Sequence, residues 1–138
     1  MIVYDAEKHV AGRLCTTIAH QLLKGETIVI VNAEKAIVTG DRDNVLENYK
    51  LKRDRGYTHS GPFFPRRADL ILKRTVRGML PFDRPNGKAA YHRLKVYVGV
   101  PEEFAASKKE KVENAMRLNT SKYITVGDIS VFLGSKVR

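Results

Sequence analysis

The sequence predicts an α/β fold with a parallel sheet, and three segments near its start support that prediction. "MIVYD" is a short apolar run that favours a strand. Leu14, Ile18 and Leu22 then recur at helical spacing. "TIVIVN" follows as an unbroken β-branched run, which is typical of a strand buried on both faces of a parallel sheet. The three segments together predict a βαβ unit, and a length of 138 residues fits one domain.

Periodicity and capping residues predict the elements that come next. "KAIVTG" favours a short edge strand. Asp41 or Asp43 is placed to cap the helix that follows, whose last turn gathers cations. Residues 55–65 hold two glycines and two prolines among aromatic residues, which indicates a loop. A further helix is predicted to begin near Pro65 and to stop at Pro81.

The last third of the chain is predicted to contain one strand and two helices. "RPNG" indicates a turn, and "RLKVYVGV" favours a strand with alternating exposure. "TVGDISVFLG" predicts a short closing helix, with Thr125 and Asp128 spaced for a capping box and Gly134 at its end. Residues 102–118 predict a mixed-charge helix. Its expected inner face consists of Phe104, Val112, Ala115 and Met116.

Positive charge is concentrated in the middle third of the chain. The formal net charge is +10, and residues 49–95 hold 13 Lys/Arg and 3 Asp/Glu, whereas the remainder holds 12 of each. A face that is basic by chance is the simpler alternative, but such faces usually interleave both signs, as "EEFAASKKEKVE" does. Residues 49–95, which we call the basic segment, are therefore predicted to bind an anionic partner.

The helix predicted between Pro65 and Leu80 separates its cations from its apolar residues. At about 100° per residue, the basic side chains fall within an arc of about 120°. Only Leu70 breaks the partition. We therefore expect the apolar side, including Leu72 and Met79, to lie in the core and the cations to form one exposed face. The predicted basic face consists of Arg66, Arg67, Lys73, Arg74 and Arg77.

Two kinds of anion fit the basic segment: one small phosphate-bearing substrate, or a long polyanion. A pocket beyond the strand ends would present Asp5, Gly12 and Asn32. However, the first strand-to-helix turn lacks the three glycines of a dinucleotide fingerprint, and the sequence has no "GxxxxGK[ST]" loop. Asp5 and Asn32 are instead expected to close loop hydrogen bonds at the strand ends. The four histidines lack the spacing of a metal pair, and the single cysteine, Cys15, is expected in the core.

Aromatic residues interleave with the cations of the basic segment. Arginine offers a planar fork for phosphate, lysine a mobile charge, and aromatic rings offer faces on which unpaired bases stack. Phe63 and Phe64, at the entry to the helix, are expected in the core instead. For His59 and His92, an RNA contact and an ordinary surface position both remain open. The polyanion interpretation accounts for the whole segment, so an RNA-binding surface is the favoured function.

Several motifs resemble one family. "VRGMLP" followed closely by "RLKVYVG" resembles the signature of large-subunit ribosomal protein thirteen, the universal L-thirteen family, and "GRL" and "VNAEKAIVTG" match in order and spacing. "YTHSG" is similar to the histidine-containing loop by which that family approaches ribosomal RNA. The short "KGE" connection and "GPFFPRRADLILKRTVRGMLP" resemble the archaeal and eukaryotic type. The chain end at Arg138, without a long basic tail, indicates the archaeal type.

This resemblance implies a three-layer α/β/α sandwich with a mainly parallel sheet of about four strands, in a single domain spanning residues 1–138. It also implies direct binding to large-subunit ribosomal RNA early in assembly, neighbouring ribosomal proteins as partners, and no catalysis or cofactor. We expect a cytoplasmic protein with no small-molecule substrate. No membrane association is expected either, because no run approaches the ~18 apolar residues of a spanning helix. The residues expected to bind RNA are Lys50, Lys52, Arg53, Arg55, Tyr57, His59, Arg66, Arg67, Lys73, Arg74, Arg77, Arg84, Lys88, His92, Arg93 and Lys95.

Overall fold

Six strands and seven α-helices form along residues 1–136, which are the residues that the computed structural model describes. Arg138, on which the expectation about the chain end rests, lies outside the described residues. The elements in chain order are β1 (Ile2–Asp5), α1 (Ala11–Leu23), β2 (Ile28–Val31), β3 (Ile37–Thr39), α2 (Arg42–Asp54), α3 (Ala68–Met79), α4 (Pro85–His92), β4 (Leu94–Val96), α5 (Glu102–Ala105), β5 (Lys109–Glu110), α6 (Glu113–Met116), β6 (Tyr123–Thr125) and α7 (Val126–Phe132).

The main sheet is fully parallel and has the strand order β4-β2-β1-β5. β1 and β2 pair in register from Ile2 with Ile28 to Asp5 with Val31. α1 makes the crossover between them, which confirms the predicted βαβ unit. The α/β fold class with a mainly parallel sheet of about four strands is likewise confirmed.

β2 is buried on both faces of the sheet, as its unbroken apolar run predicted. Val29 and Val31 pack with Phe104 of α5 on one face. Ile28 and Ile30 belong to the larger core on the other face, which α1, α3 and α4 cover. All four β2 side chains are completely buried. Helices therefore lie on both faces, which is the three-layer arrangement.

A second, two-stranded sheet lies apart from the main one. The edge strand predicted at "KAIVTG" is present as β3, but it pairs antiparallel with β6, a strand that the sequence analysis did not predict. Ile37 pairs with Thr125, and Thr39 with Tyr123. We call this pair the β-ribbon. Its inner face carries Ile124, which is buried in the core.

The turn predicted at "RPNG" was wrong, because these residues begin helix α4. Arg84 is extended, and the fixed φ of Pro85 suits the first helical position. Gly87 is buried so tightly that an added Cβ would lie 2.0 Å from the carbonyl oxygen of Pro81. The predicted strand "RLKVYVGV" shortens to the three residues of β4, which pair with residues 28–30 of β2.

The single helix predicted over residues 102–118 was also wrong. The segment contains α5, β5 and α6, because Lys109 and Glu110 pair with Val3 and Tyr4 of β1 instead of continuing a helix. Tertiary pairing overrides a weak helix propensity in this segment. Of the expected inner face, Phe104 and Ala115 are buried, whereas Val112 and Met116 are only partly buried.

Buried His9 fixes the position of this C-terminal segment. The backbone N–H of Val112 donates to His9 Nε2 at 2.9 Å. The other ring nitrogen, Nδ1, lies 2.9 Å from the carbonyl oxygen of Glu7 and therefore carries the proton that it donates there. His9 is fully buried, and both ring nitrogens are satisfied within the protein.

The helix ends agree with the sequence to within a few residues. Asp41 occupies the N-cap position of α2, but its side chain makes no capping hydrogen bond. α3 begins at Ala68, three residues after the predicted Pro65. The N-cap predicted for the last helix is confirmed, since Thr125 Oγ1 accepts a hydrogen bond from the N–H of Asp128 at 3.2 Å.

The two apolar residues singled out on α3 differ in burial, so replacing each by alanine should lower the free energy of unfolding by different amounts. Leu72 is fully buried, whereas Met79 is 40% exposed, and the expectation that Met79 lies in the core was wrong. Leu72→Ala should lower the free energy of unfolding by about 2–5 kcal/mol and Met79→Ala by less than about 1 kcal/mol. Urea unfolding of both variants checks this, and equal losses would contradict the burial pattern.

Two helical glycines should respond in opposite directions to alanine. Gly87→Ala forces a Cβ against the Pro81 carbonyl and should lower the free energy of unfolding by about 1–3 kcal/mol. Gly78, in α3, has no atom within 4 Å of an added Cβ. Gly78→Ala should therefore raise the free energy of unfolding by up to about 1 kcal/mol. Thermal melts of the pair test the close approach, and a Gly87→Ala protein as stable as the parent would exclude it.

Candidate nucleic-acid interface

The outer side of α3 carries its cations, as predicted. Ile71, Leu72 and Val76 are buried on the inner side. Lys73, Arg74 and Arg77 project from the opposite side. Arg66 and Arg67 precede the helix instead of belonging to it, although both are exposed beside it. The amphipathic division of the α3 segment is thus present, with its first two cations moved into the loop.

Two of the α3 cations lie against aromatic rings at the side facing α4. Lys73 Nζ is 5.0 Å from the ring centroid of Tyr91, and Arg77 Cζ is 4.3 Å from that of Phe82. The two rings meet edge to face, with centroids 5.4 Å apart. We call these four residues the α3–α4 cluster. Each cation is attracted to the face of its ring, so the cluster holds two positive charges at a set separation.

A third cation lies against aromatic rings where α2 meets the loop. Lys52 Nζ is 4.8 Å from the centroid of Tyr49 and 5.6 Å from that of Phe64. Phe64 packs partly buried against the core, in agreement with the prediction. Phe63, in contrast, is 67% exposed, so its expected core position was wrong. Burial raises the pKa of Tyr49, mainly by desolvation, and its hydroxyl stays protonated at neutral pH.

The loop between α2 and α3 is closed by a short backbone pairing. Tyr57 and Gly61 exchange two backbone hydrogen bonds of 3.1 and 3.0 Å. Gly56 has a φ of 94°, and an added Cβ would lie 2.2 Å from the Gly61 carbonyl oxygen, so glycine is required there. The three residues at the tip, including His59, are exposed, and Tyr57 is 78% exposed. The loop therefore presents aromatic and polar side chains to solvent.

Several predicted RNA-binding cations are also engaged within the protein. Arg53 pairs with Asp54 at 3.0 Å, and Arg67 pairs with the buried Asp69 at the same distance. Arg93 Nη2 donates to the carbonyl oxygen of Leu22 at 2.6 Å, at the C-terminal end of α1. The Nε of Arg93 is buried without a partner within the described residues. Arg93 thus satisfies a helix carbonyl, a role that the sequence analysis did not predict.

Lys95 lies on a different side of the molecule from the α3 cations. It pairs in register with Val29, so its side chain projects from the face of the sheet that α5 covers. α3 and α4 cover the opposite face. The other predicted cations lie on α2, the loop, α3 and α4: the exposed ones are Lys50, Lys52, Arg55, Arg66, Arg67, Arg84 and Lys88, and the half-buried ones are Arg53, Lys73, Arg74 and Arg77.

The α2–α4 surface, by which we mean the outer sides of α2, α3, α4 and the intervening loop, carries few unpaired carboxylates in the part that belongs to the basic segment, although Asp43 and Glu47 are exposed earlier on α2. Of the three acidic residues in the basic segment, Asp54 and Asp69 pair with arginines, and Asp83 is exposed. His92 is exposed next to the α3–α4 cluster, with its ring centroid 6.4 Å from that of Tyr91. The sequence analysis did not predict Phe82 as a partner for Arg77.

The crevice beyond the strand ends is occupied by structural hydrogen bonds. Asp5 Oδ1 accepts from the N–H of Glu7 and from Asn32 Nδ2, both at 3.0 Å. Burial by itself raises the pKa of Asp5, but these two hydrogen bonds help to outweigh it, and the net pKa is lowered. Asp5 and Asn32 thus close loop hydrogen bonds, as expected. Burial raises the pKa of Cys15 to about 12, so the thiol is an inert core group.

Fold and surface together define a basic α/β protein that presents cations and aromatic rings on one helical side. Within residues 1–136 no group of three His, Cys, Asp or Glu side chains is arranged to hold a metal ion. No helix of that range is long and apolar enough to cross a membrane.

Comparison with known proteins gives the family. The model of the family "Ribosomal protein L13" matches residues 1–103. A large ribosomal subunit protein uL13 of Methanosarcina barkeri is 52% identical over 139 residues, covering 99% of both chains. The Archaeoglobus fulgidus protein of the same name is 51% identical, covering 96% of this chain and 86% of its own. The Methanococcoides burtonii one is 50% identical and covers 99% of both chains.

The chain belongs to the ribosomal protein L13 family. The predicted resemblance is confirmed, and these archaeal relatives agree with the predicted archaeal type. Members of the family are structural components rather than enzymes, so the expectation that the protein is not an enzyme is confirmed as well.

Replacing Arg93 should reduce stability, because its guanidinium satisfies the carbonyl of Leu22. Arg93→Met removes that donor and should lower the free energy of unfolding by about 1–3 kcal/mol. Lys88→Met is the matched control, since Lys88 is exposed, and it should change the value by less than about 0.5 kcal/mol. Urea unfolding distinguishes the two variants. If both variants unfold like the parent protein, Arg93 does not stabilise the end of α1.

Proposed function

We propose that the protein is a structural constituent of the large ribosomal subunit that binds ribosomal RNA directly through the α2–α4 surface. The observation that carries the proposal is the α3–α4 cluster, in which Lys73 and Arg77 are held against Tyr91 and Phe82. Like charges repel, so a folded chain gains nothing from gathering cations on neighbouring helices unless an anion meets them. A polyanion with many phosphates uses such an arrangement, whereas a small substrate does not.

Phosphate contacts supply the affinity and the orientation in this proposal. Arg74 is half-buried on α3, and its guanidinium can bind two phosphate oxygens at once. Lys52, Lys73 and Arg77 are partly ordered by the rings beneath them, so less side-chain entropy is lost on binding. The surface therefore recognises the spatial arrangement of phosphates in folded RNA.

The loop between α2 and α3 supplies contacts to bases. Tyr57 and Phe63 are exposed aromatic rings, and His59 is exposed at the loop tip. Unpaired bases stack on such rings, and a base–aromatic stack contributes about 1–3 kcal/mol. Double-stranded RNA offers no free base faces, so this loop favours a single-stranded turn or bulge.

The way the surface is built supports binding early in subunit assembly. The contacts that order it, such as Lys73 with Tyr91 and Tyr57 with Gly61, lie within this chain. RNA can therefore bind before any neighbouring protein is in place. The proposed location is the cytoplasmic large subunit, with ribosomal RNA and neighbouring ribosomal proteins as partners.

The salt dependence of RNA binding tests the proposal. If six to eight cations meet phosphates, log K should fall against log[salt] with a slope of about −4 to −7. Arg74→Ala and Arg77→Ala should each reduce the magnitude of that slope by about one. Lys95→Ala is the matched control from the same segment, because Lys95 lies on the other face of the sheet, and its slope should equal that of the parent. The measurement is a titration with a protein-free large-subunit RNA fragment at several salt concentrations.

A parent slope shallower than about −2 would match a pocket for one phosphate and would contradict the proposal. If Lys95→Ala reduces the magnitude of the salt slope while the two arginine variants leave it unchanged, the RNA binds the face of the sheet that carries Lys95, not the α2–α4 surface. Melting curves recorded in parallel show that each variant remains folded under the binding conditions.

A further inference from the structure

A groove lies on the outer face of the β-ribbon, apart from the α2–α4 surface. Its volume is about 440 Å³, and none of the residues that line it belongs to the basic segment. Ile37 and Thr125, a cross-strand pair, form its floor. One wall is α7, through Asp128 and Val131, and the other is the segment after β1, through Glu7. A cleft of this size accommodates a few side chains of a ligand.

The groove combines apolar contact area with excess negative charge. Its lining contains three carboxylates, those of Glu7, Glu34 and Asp128, against two lysine ammonium groups. Val131 and Tyr123 in the same lining are 46% and 50% exposed. A groove with this balance is unusual in a chain of net charge +10. RNA phosphates would be repelled by the carboxylates and would find few cations there.

The cations of the groove are already partly compensated. Lys35 Nζ lies 3.8 Å from a carboxylate oxygen of Glu7, and both side chains are half exposed. Such an exposed pair contributes little and opens readily. Asp128 is exposed, and its backbone N–H, not its carboxylate, makes the capping contact with Thr125. The Asp128 and Glu7 carboxylates on opposite walls are therefore available to an incoming cation.

We propose that this groove docks an extended, cationic segment of a protein partner, with an apolar side chain on the floor and an arginine or lysine toward each wall. Each ribbon strand is three residues long, about 10 Å, and the wall residues Glu7 and Asp128 lie outside the two strands, so an extended segment of about five residues spans the ribbon and both walls. In such a segment alternate side chains face the same way, so a cation–x–apolar–x–cation pattern places all three contacts in the groove. The proposal concerns a different surface and a different class of partner from RNA binding.

A peptide titration of the intact chain tests this. The probe is the blocked heptapeptide Ser-Arg-Ser-Leu-Ser-Arg-Ser. Its binding is monitored through the amide chemical shifts of the ¹⁵N-labelled protein. We expect saturable shifts at Tyr123, Thr125 and Asp128 with a Kd of about 1 mM or tighter. The same peptide with glutamate in place of arginine should bind at least about tenfold more weakly, because its charges oppose those of the groove.

Two protein variants locate the contact. Asp128→Lys should weaken binding of the arginine peptide by at least about fivefold, and Asp128→Asn should weaken it by less. Glu103→Lys, an equal charge reversal at an exposed position on α5, should change the affinity by less than about twofold. Amide spectra and melting curves establish that both reversals keep the fold.

Three results would overturn the proposal. They are no saturable shift with the arginine peptide, equal binding of the glutamate peptide, and the same groove amides shifting when the large-subunit RNA fragment is added. RNA-induced shifts confined to α2, α3, α4 and their loop leave the groove proposal intact, and failure of RNA to bind at all would affect only the proposed function.

Discussion

The packing of α3 against α1 is the contact on which the charged side of this molecule depends. Ile71, Leu72 and Val76 of α3 are buried in one core with Leu14 and Ile18 of α1. The Cys15 thiol approaches the Leu72 carbonyl at 4.0 Å, so the two helix backbones lie close together there. Because that side of α3 is fixed, the direction of Lys73, Arg74 and Arg77 is fixed too. The core thus sets the geometry of the cations.

The cost of assembling those cations is reduced by their surroundings. Tyr91 and Phe82 place ring faces against Lys73 and Arg77, and Asp54 and Asp69 pair with neighbouring arginines. These contacts lessen repulsion without neutralising the surface, since they leave much of each cation in water. Arg93 shows the other use of a basic residue, because its guanidinium satisfies the end of α1. The basic residues of this chain therefore have two roles, one in binding and one in stabilising the fold.

The sequence predicted best where local pattern and tertiary environment agree. The βαβ unit, the two-sided burial of β2 and the Thr125 cap all follow from short-range signals. The α4 helix was missed because "RPNG" is equally compatible with a turn and with a helix that begins at Pro85. Lys95 was grouped with the α3 cations by proximity in sequence, whereas strand alternation places it on the other face. Exposure of Phe63 and Met79 could not be predicted, because Phe63 lies in a loop and Met79 is the last residue of α3, where helical periodicity no longer fixes the side chain.

The β-ribbon joins residues that are far apart in the chain, since Ile37–Thr39 pair with Tyr123–Thr125. Contacts between such distant residues carry a large loop-closure entropy and form slowly. A chain growing from its N-terminus exposes Ile37 and Val38 until the last residues are made. The interval between synthesis of β3 and arrival of β6 is therefore the period in which a nascent chain is most exposed to aggregation, and the pairing of β6 with β3 ends it.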